Sequence, residues 1–120
     1  MADLASLEKE LNKMILEGKA MDAFEKFYAE DCTMQEPTGD PARVGKAACR
    51  KAEEEFYGNI DQFHGAKLLS SAIGDGVTFS EWVYDFQMKG QPRVKMQEVA
   101  RRVWKNGKVV NEHFYYHRPG

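Results

Sequence analysis

Trp104-Lys105-Asn106-Gly107-Lys108-Val109 decides the fold of this chain. Asn-Gly tolerates the positive φ angles of a two-residue hairpin turn, and here it stands between two runs of alternating side chains. Working outward, residues 93–105 and 108–117 are the two strands of that hairpin. Two further alternating runs precede it, 59–73 and 77–88, punctuated by Gly74-Asp75-Gly76 and Lys89-Gly90. Four strands joined by short turns form an antiparallel meander.

Before Gly58 the period is helical. Leu4, Leu7, Leu11, Met14 and Ile15 form one apolar stripe that Gly18 terminates. A short second helix carries Ala20, Phe24, Phe27 and Tyr28 on one face. A third runs from about residue 46 to 57, with Ala48, Ala52 and Phe56 four apart and with Arg50–Glu54 and Lys51–Glu55 pairs of opposite sign. Between the second and third helices an extended segment ends at Glu36-Pro37. Proline biases the residue before it toward extended backbone, so Glu36 is presented in a constrained geometry. Helices first and strands after give an α+β fold, with three N-terminal helices packed on a strongly curved antiparallel sheet.

The chain has 120 residues, 42% of them apolar and 30% charged, with a net charge of −2. These values suit one domain, 1–120, with a single core. No basic patch recommends nucleic acid or an anionic membrane as partner. No apolar run approaches the roughly 20 residues of a membrane span, and the N-terminus has no signal pattern. Cys32 and Cys49 lack a C-x-x-C spacing, and a reducing cytoplasm is the expected location.

The turns set an expected register. A two-residue loop at Asn106-Gly107 places Val103 opposite Val110, Arg101 opposite Glu112, Val99 opposite Phe114 and Gln97 opposite Tyr116. A two-residue loop at Lys89-Gly90 places Trp82 opposite Gln97 and Tyr84 opposite Lys95. Trp82, Tyr84, Phe86, Val99, Phe114 and Tyr116 then share an inward face with Gln97 and an Arg101–Glu112 pair. An aromatic concavity with a few polar groups has the character of a small-molecule site. The same ion pair would serve equally as a structural bridge at a sheet rim. The other face, with Trp104, His113 and Tyr115, is the expected surface for association into a homodimer.

Glu36 is the candidate general base where apolar walls raise its pKa. Its alternative role is to cap backbone N–H groups before the Pro37–Pro41 turn region. His113 and His117 are spaced like a metal pair, but four strand residues span roughly 13 Å, too far for one ion. Both cysteines suit inert thiols. Neither a phosphate-binding loop, a dinucleotide fingerprint nor a G-x-S-x-G elbow is present, so no metal or cofactor is expected.

Phe27-Tyr28-Ala29-Glu30-Asp31 leading to Gln35-Glu36-Pro37 and Gly45, then Gly90-Gln91-Pro92 and the closing Trp104–Val109 hairpin, resembles the nuclear transport factor 2-like superfamily, on its SnoaL-like and ketosteroid-isomerase-like side. The resemblance implies a cone-shaped half-barrel, a deep pocket between sheet and helices, and a homodimer through the sheet. It places Glu36 at the position of the general base, with Tyr28 as a supporting tyrosine. The sequence departs from that pattern at two donors. The first-helix tyrosine falls near Leu11 or Asn12, and the partnering acid falls at Val99. Ketosteroid isomerisation by the known arrangement is therefore not expected. Polyketide-cyclase-like members suggest Glu36, Gln97, Arg101 and Glu112 as the polar groups. The expected function is binding of a small hydrophobic molecule, or acid–base chemistry of isomerase or cyclase type on a carbonyl-bearing compound. The alternative is a non-catalytic ligand-binding protein or a dimeric interaction module.

Overall fold

Asp3 starts the first helix, where its side chain accepts a hydrogen bond from the Ser6 N–H at 2.8 Å. The computed structural model describes residues 3–117. Its elements are α1 (Leu4–Leu16), α2 (Ala20–Phe27), β1 (Tyr28–Gln35), β2 (Arg43–Val44), α3 (Lys46–Gly58), β3 (Ile60–Ile73), β4 (Val77–Met88), β5 (Arg93–Lys105) and β6 (Lys108–Tyr116). The sheet order is β2-β1-β6-β5-β4-β3, so the sheet is open at β2 and β3. Neighbours are antiparallel except β1 and β6, which run parallel. Pairing of β3 with β4 slips at Ile60/Gln62, Phe63/Gly65 and Leu68/Ser70, and such bulges bend and twist a sheet.

Both turns form where the sequence places them, but the ladder beyond each one differs from the expected register. The Gln91 N–H closes the β4–β5 turn on the Met88 carbonyl at 3.0 Å. Pro92 has no N–H to enter the ladder, and regular pairing begins only at Gln87↔Arg93. At the second hairpin Asn106 and Gly107 take φ 53 and 77, and Lys105 pairs with Lys108 as expected. A bulge then follows, with Trp104↔Val109 succeeded by Val103↔Asn111. Each slip is one residue, and both turn β5 over relative to the expected pairing. The partner of Trp82 is therefore Glu98 rather than Gln97, that of Tyr84 is Met96 rather than Lys95, and that of Glu112 is Arg102 rather than Arg101.

On β5 the buried residues are Glu98, Ala100, Arg102 and Trp104. Gln97, Val99 and Arg101 lie on the other face, against expectation. Trp104 leaves the proposed association surface for the core, where its ring meets Phe27 edge-on at 6.1 Å. Its indole N–H donates to Thr78 Oγ1 at 2.8 Å. The core gathers Leu11, Phe24, Phe27, Met34, Trp104 and Val109 between the helices and the inner face. Helix α1 packs on β3 and β4, and α3 packs on β1 and β2. The part of the inner face between those two contacts carries Trp82, Glu98 and Tyr116.

Candidate functional site

Glu36 follows β1 directly, and its half-buried carboxylate is held from two sides. Arg43 Nη2 donates to Oε1 at 3.1 Å, and the Tyr116 hydroxyl donates to Oε2 at 3.0 Å. Tyr116 is the register partner of Glu98, and Glu98 is the partner of Trp82. Trp82, Glu98 and Tyr116 thus form a row across β4, β5 and β6 that ends at Glu36.

Two members of this row lack polar partners. Glu98 is 9% exposed, and among the described residues no hydrogen bond reaches its carboxyl. Trp82 is fully buried, and its indole N–H has no acceptor among the described residues. The Trp82 ring stacks on Tyr84 with centroids 5.5 Å apart. A buried polar group without a partner carries a desolvation cost of about 1–3 kcal/mol, so such groups are rare without a cause.

Helix α3 reaches the inner face from the side of β1 and β2. Phe56 meets Phe86 edge-on at 5.8 Å, which ties the end of the helix to β4. Glu53 on the same helix is half-buried, and Tyr57, one turn later, is 37% exposed. Burial, reinforced by the charge of Glu112, pushes Glu53 and Glu98 up to about 8 each. Burial also raises the Tyr57 and Tyr84 hydroxyls, with the charges of Glu53 and Glu98 respectively as the next largest cause. At neutral pH the two carboxyls are therefore mostly protonated and can donate a hydrogen bond.

A bonded polar network lies on the same face, between α1 and the sheet. Arg102 Nε donates to Glu112 at 2.7 Å, and its Nη1 donates to Glu8 and to Asn12 Oδ1, each at 2.9 Å. Glu8 also accepts from Thr78 at 2.9 Å and from Ser80. Asn12 donates to Ser80 at 2.8 Å. Tyr28 is hydrogen-bonded to Glu112, and burial carries its hydroxyl well above the ordinary tyrosine range. The network joins α1 to four strands, β1, β4, β5 and β6.

Of the residues singled out from the sequence, Trp82, Tyr84, Phe86, Glu112, Phe114 and Tyr116 share the inner face, with Tyr28 and Glu36 beside it. Gln97, Val99 and Arg101 do not. Val99 lines a hollow of about 230 Å³ on the outer face with Phe79 and Glu81, and Gln97 lines another of about 490 Å³ with Val83 and His117. Neither hollow includes an acid of the inner face, and neither gathers the tyrosines. His113 and Tyr115 remain outside, stacked at 4.2 Å. The sequence reading missed Glu8, Asn12, Glu53, Tyr57, Glu98 and Arg102. Glu8 and Asn12 did leave a signal, since they interleave with Leu4, Leu11 and Ile15 on the buried stripe of α1. Among the described residues, no three side chains are grouped to hold a metal ion.

The family model for a SnoaL-like domain matches residues 4–116. The chain belongs to the SnoaL-like family. A SnoaL-like protein from Mesorhizobium loti is 27% identical with a TM-score of 0.88, covering 96% of this chain and 100% of its own. An NTF2-like protein of unknown function from Burkholderia pseudomallei is 10% identical with a TM-score of 0.82, covering 98% and 92%. A hypothetical protein with a ketosteroid isomerase-like fold from Catenulispora acidiphila, solved with trimethylamine, is 14% identical with a TM-score of 0.69, covering 79% and 73%. The last two likenesses concern the fold alone. Among curated proteins none matches this SnoaL-like chain.

Proposed function

We propose that this SnoaL-like protein binds a small hydrophobic carbonyl compound on the inner face and moves a proton beside the carbonyl. The observation that carries this is the Trp82–Glu98 pair. An unpartnered indole N–H and an unpartnered, protonated carboxyl stand side by side on adjacent strands. Two such donors suit one carbonyl oxygen, and they suit it better as negative charge develops during enolisation. They come from β4 and β5, so this oxyanion site does not need the first-helix tyrosine whose place Leu11 or Asn12 occupies. Glu36 is the base, oriented by Arg43 and Tyr116 at the far end of the row. Tyr84, Phe86 and Phe114 supply apolar wall.

A thermal-shift screen of soluble ketones and aromatic carbonyl compounds identifies binders, because a ligand of the folded state raises its apparent stability. With a turned-over compound in hand, Glu36→Gln is expected to keep binding and to lose at least about 100-fold in turnover, a typical loss when a general base is removed. Full turnover in that variant would refute the role of Glu36. We also propose that the protein dimerises through the outer face of the sheet, which carries Val99, Val103, His113 and Tyr115.

A further inference from the structure

We propose that Arg43 is a second ligand-binding residue, whose Nε donates to an uncharged oxygen at the far end of the carbonyl compound held by Trp82 and Glu98. The inference rests on the small-molecule reading of the inner face and adds a second acceptor to the class of compound. Among the described residues, Arg43 Nε and Trp82 Nε1 are the two buried side-chain nitrogens or oxygens that meet no partner. A buried donor without an acceptor is costly, and more so on a charged group. Both belong to the inner face. Arg43 is the register partner of Met34, which is 1% exposed, and Met34 in turn is the partner of Glu112. Side chains directly opposite one another share a side of the sheet, so Arg43 lies on the face of Glu112 and Trp82.

Arg43 is also tied to the row that Trp82 begins. Glu36 accepts from its Nη2 on one carboxylate oxygen at 3.1 Å and from the Tyr116 hydroxyl on the other at 3.0 Å. Tyr116 lies two strands from Trp82, with Glu98 between them. Strands are spaced by about 4.8 Å, so the two ends of the row stand roughly 10 Å apart. One compound with an oxygen at each end spans that distance, which a single carbonyl does not. The chemistry of the second oxygen follows from what Arg43 already has. Its positive charge is paired with Glu36, although the side chain keeps 29% of its surface exposed. What Nε lacks is therefore an acceptor and not a counter-charge. A ketone, ester or amide oxygen satisfies it, whereas a carboxylate would be repelled by Glu36 and compete with it for one guanidinium.

Isothermal titration with three para-substituted acetophenones tests this. They are 1,4-diacetylbenzene, 4-ethylacetophenone, in which hydrogens replace the second carbonyl oxygen, and the anion 4-acetylbenzoate. At pH 7 the diketone is expected to bind at least about ten-fold tighter than either of the others. Arg43→Met has no donor and should bring the diketone down to the affinity of 4-ethylacetophenone. Any effect of releasing Glu36 applies to both ketones and cancels in their ratio. Arg43→Gln places an amide nitrogen as many bonds from the backbone as Nε, without the charge, and should retain most of the preference. Arg101→Met, on the outer face, should leave all three affinities in place. Equal binding of the two ketones by the parent, or a preference that survives Arg43→Met, would overturn the second contact and leave the proposed function standing. Tightest binding of 4-acetylbenzoate, lost in Arg43→Gln, would overturn the choice of an uncharged oxygen. If none of the three binds, both readings fail. Melting temperatures verify that the variants fold, and the preference measured on the parent stands without them.

Discussion

Trp82 and Glu98 are direct partners across β4 and β5, and each buries a polar group that no other described residue satisfies. The members of the Arg102 network, by contrast, are bonded, and the proposed function therefore puts the ligand's oxygen at the Trp82–Glu98 pair. Trp82→Phe separates the two roles of the indole. It removes a donor that bonds to nothing in the free protein, so its stability cost should reflect lost volume alone, about 1–2 kcal/mol. Ketone binding should fall by about ten-fold or more, since a ligand oxygen loses a buried donor. Titration and urea denaturation of the same preparation check both halves. Unchanged ketone affinity would remove Trp82 from the site.

Glu98 makes a prediction about pH. Its carboxyl ionises near its ordinary value of 4.5 in the unfolded chain and only at about 8 in the folded one. Between those values the folded state holds more protons than the unfolded state, so stability falls as pH rises. Glu98→Gln keeps the shape and removes the titration. The variant should match the parent near pH 4 and exceed it by roughly 1–3 kcal/mol near pH 8, given about 1.4 kcal/mol per pKa unit and the opposing loss of a packed acid. Urea midpoints measured at both pH values decide the matter. A parent whose stability is flat across this window would mean that Glu98 is not held protonated.

Arg102→Leu leaves Glu8 and Glu112 buried without their counter-ion, and breaking a buried pair in this way costs about 3–5 kcal/mol. Adding Glu8→Gln and Glu112→Gln should restore much of that loss, because the penalty lies in the stranded charges rather than in a missing attraction. Arg101→Leu, on the outer face, should cost less than about 1 kcal/mol. Chemical denaturation of these variants distinguishes the two adjacent arginines. Equal effects would contradict the observed register.

That distinction between neighbouring arginines shows where sequence information ended. The element order followed from periodicity: the apolar stripe of α1, the alternation in β3 to β6 and the Asn106-Gly107 turn each act over a few residues. Register on β5 depends on single-residue bulges after each turn. One is set by the missing N–H of Pro92 and one by the extra residue near Val110, and neither changes the local pattern of apolar residues. Val99 and Val103 therefore read as core, whereas the chain buries Glu98, Ala100 and Arg102. Polar burial reversed the usual rule, because Glu8 and Asn12 from a distant helix pair with Arg102. Glu36, Tyr28 and Trp82 were legible because a proline, a helix end and the aromatic face of β4 position them without reference to β5.

The same inversion alters the test for dimerisation. Trp104 is 6% exposed and bonded to Thr78, so Trp104→Glu would disrupt the core instead of parting two subunits. The outer face instead carries Val99 and Val103 beside Tyr115, which is 46% exposed and stacked on His113. An apolar and aromatic surface on a regular sheet suits burial against a second copy. Tyr115→Glu should then keep the parent's melting behaviour at low concentration and elute from a sizing column as a monomer where the parent elutes as a dimer. The introduced charge acts only when the face is covered, since an exposed glutamate costs little in a monomer. If parent and variant elute at the same volume, the outer face is not the contact surface, and light scattering on the parent alone establishes whether a dimer forms by any route.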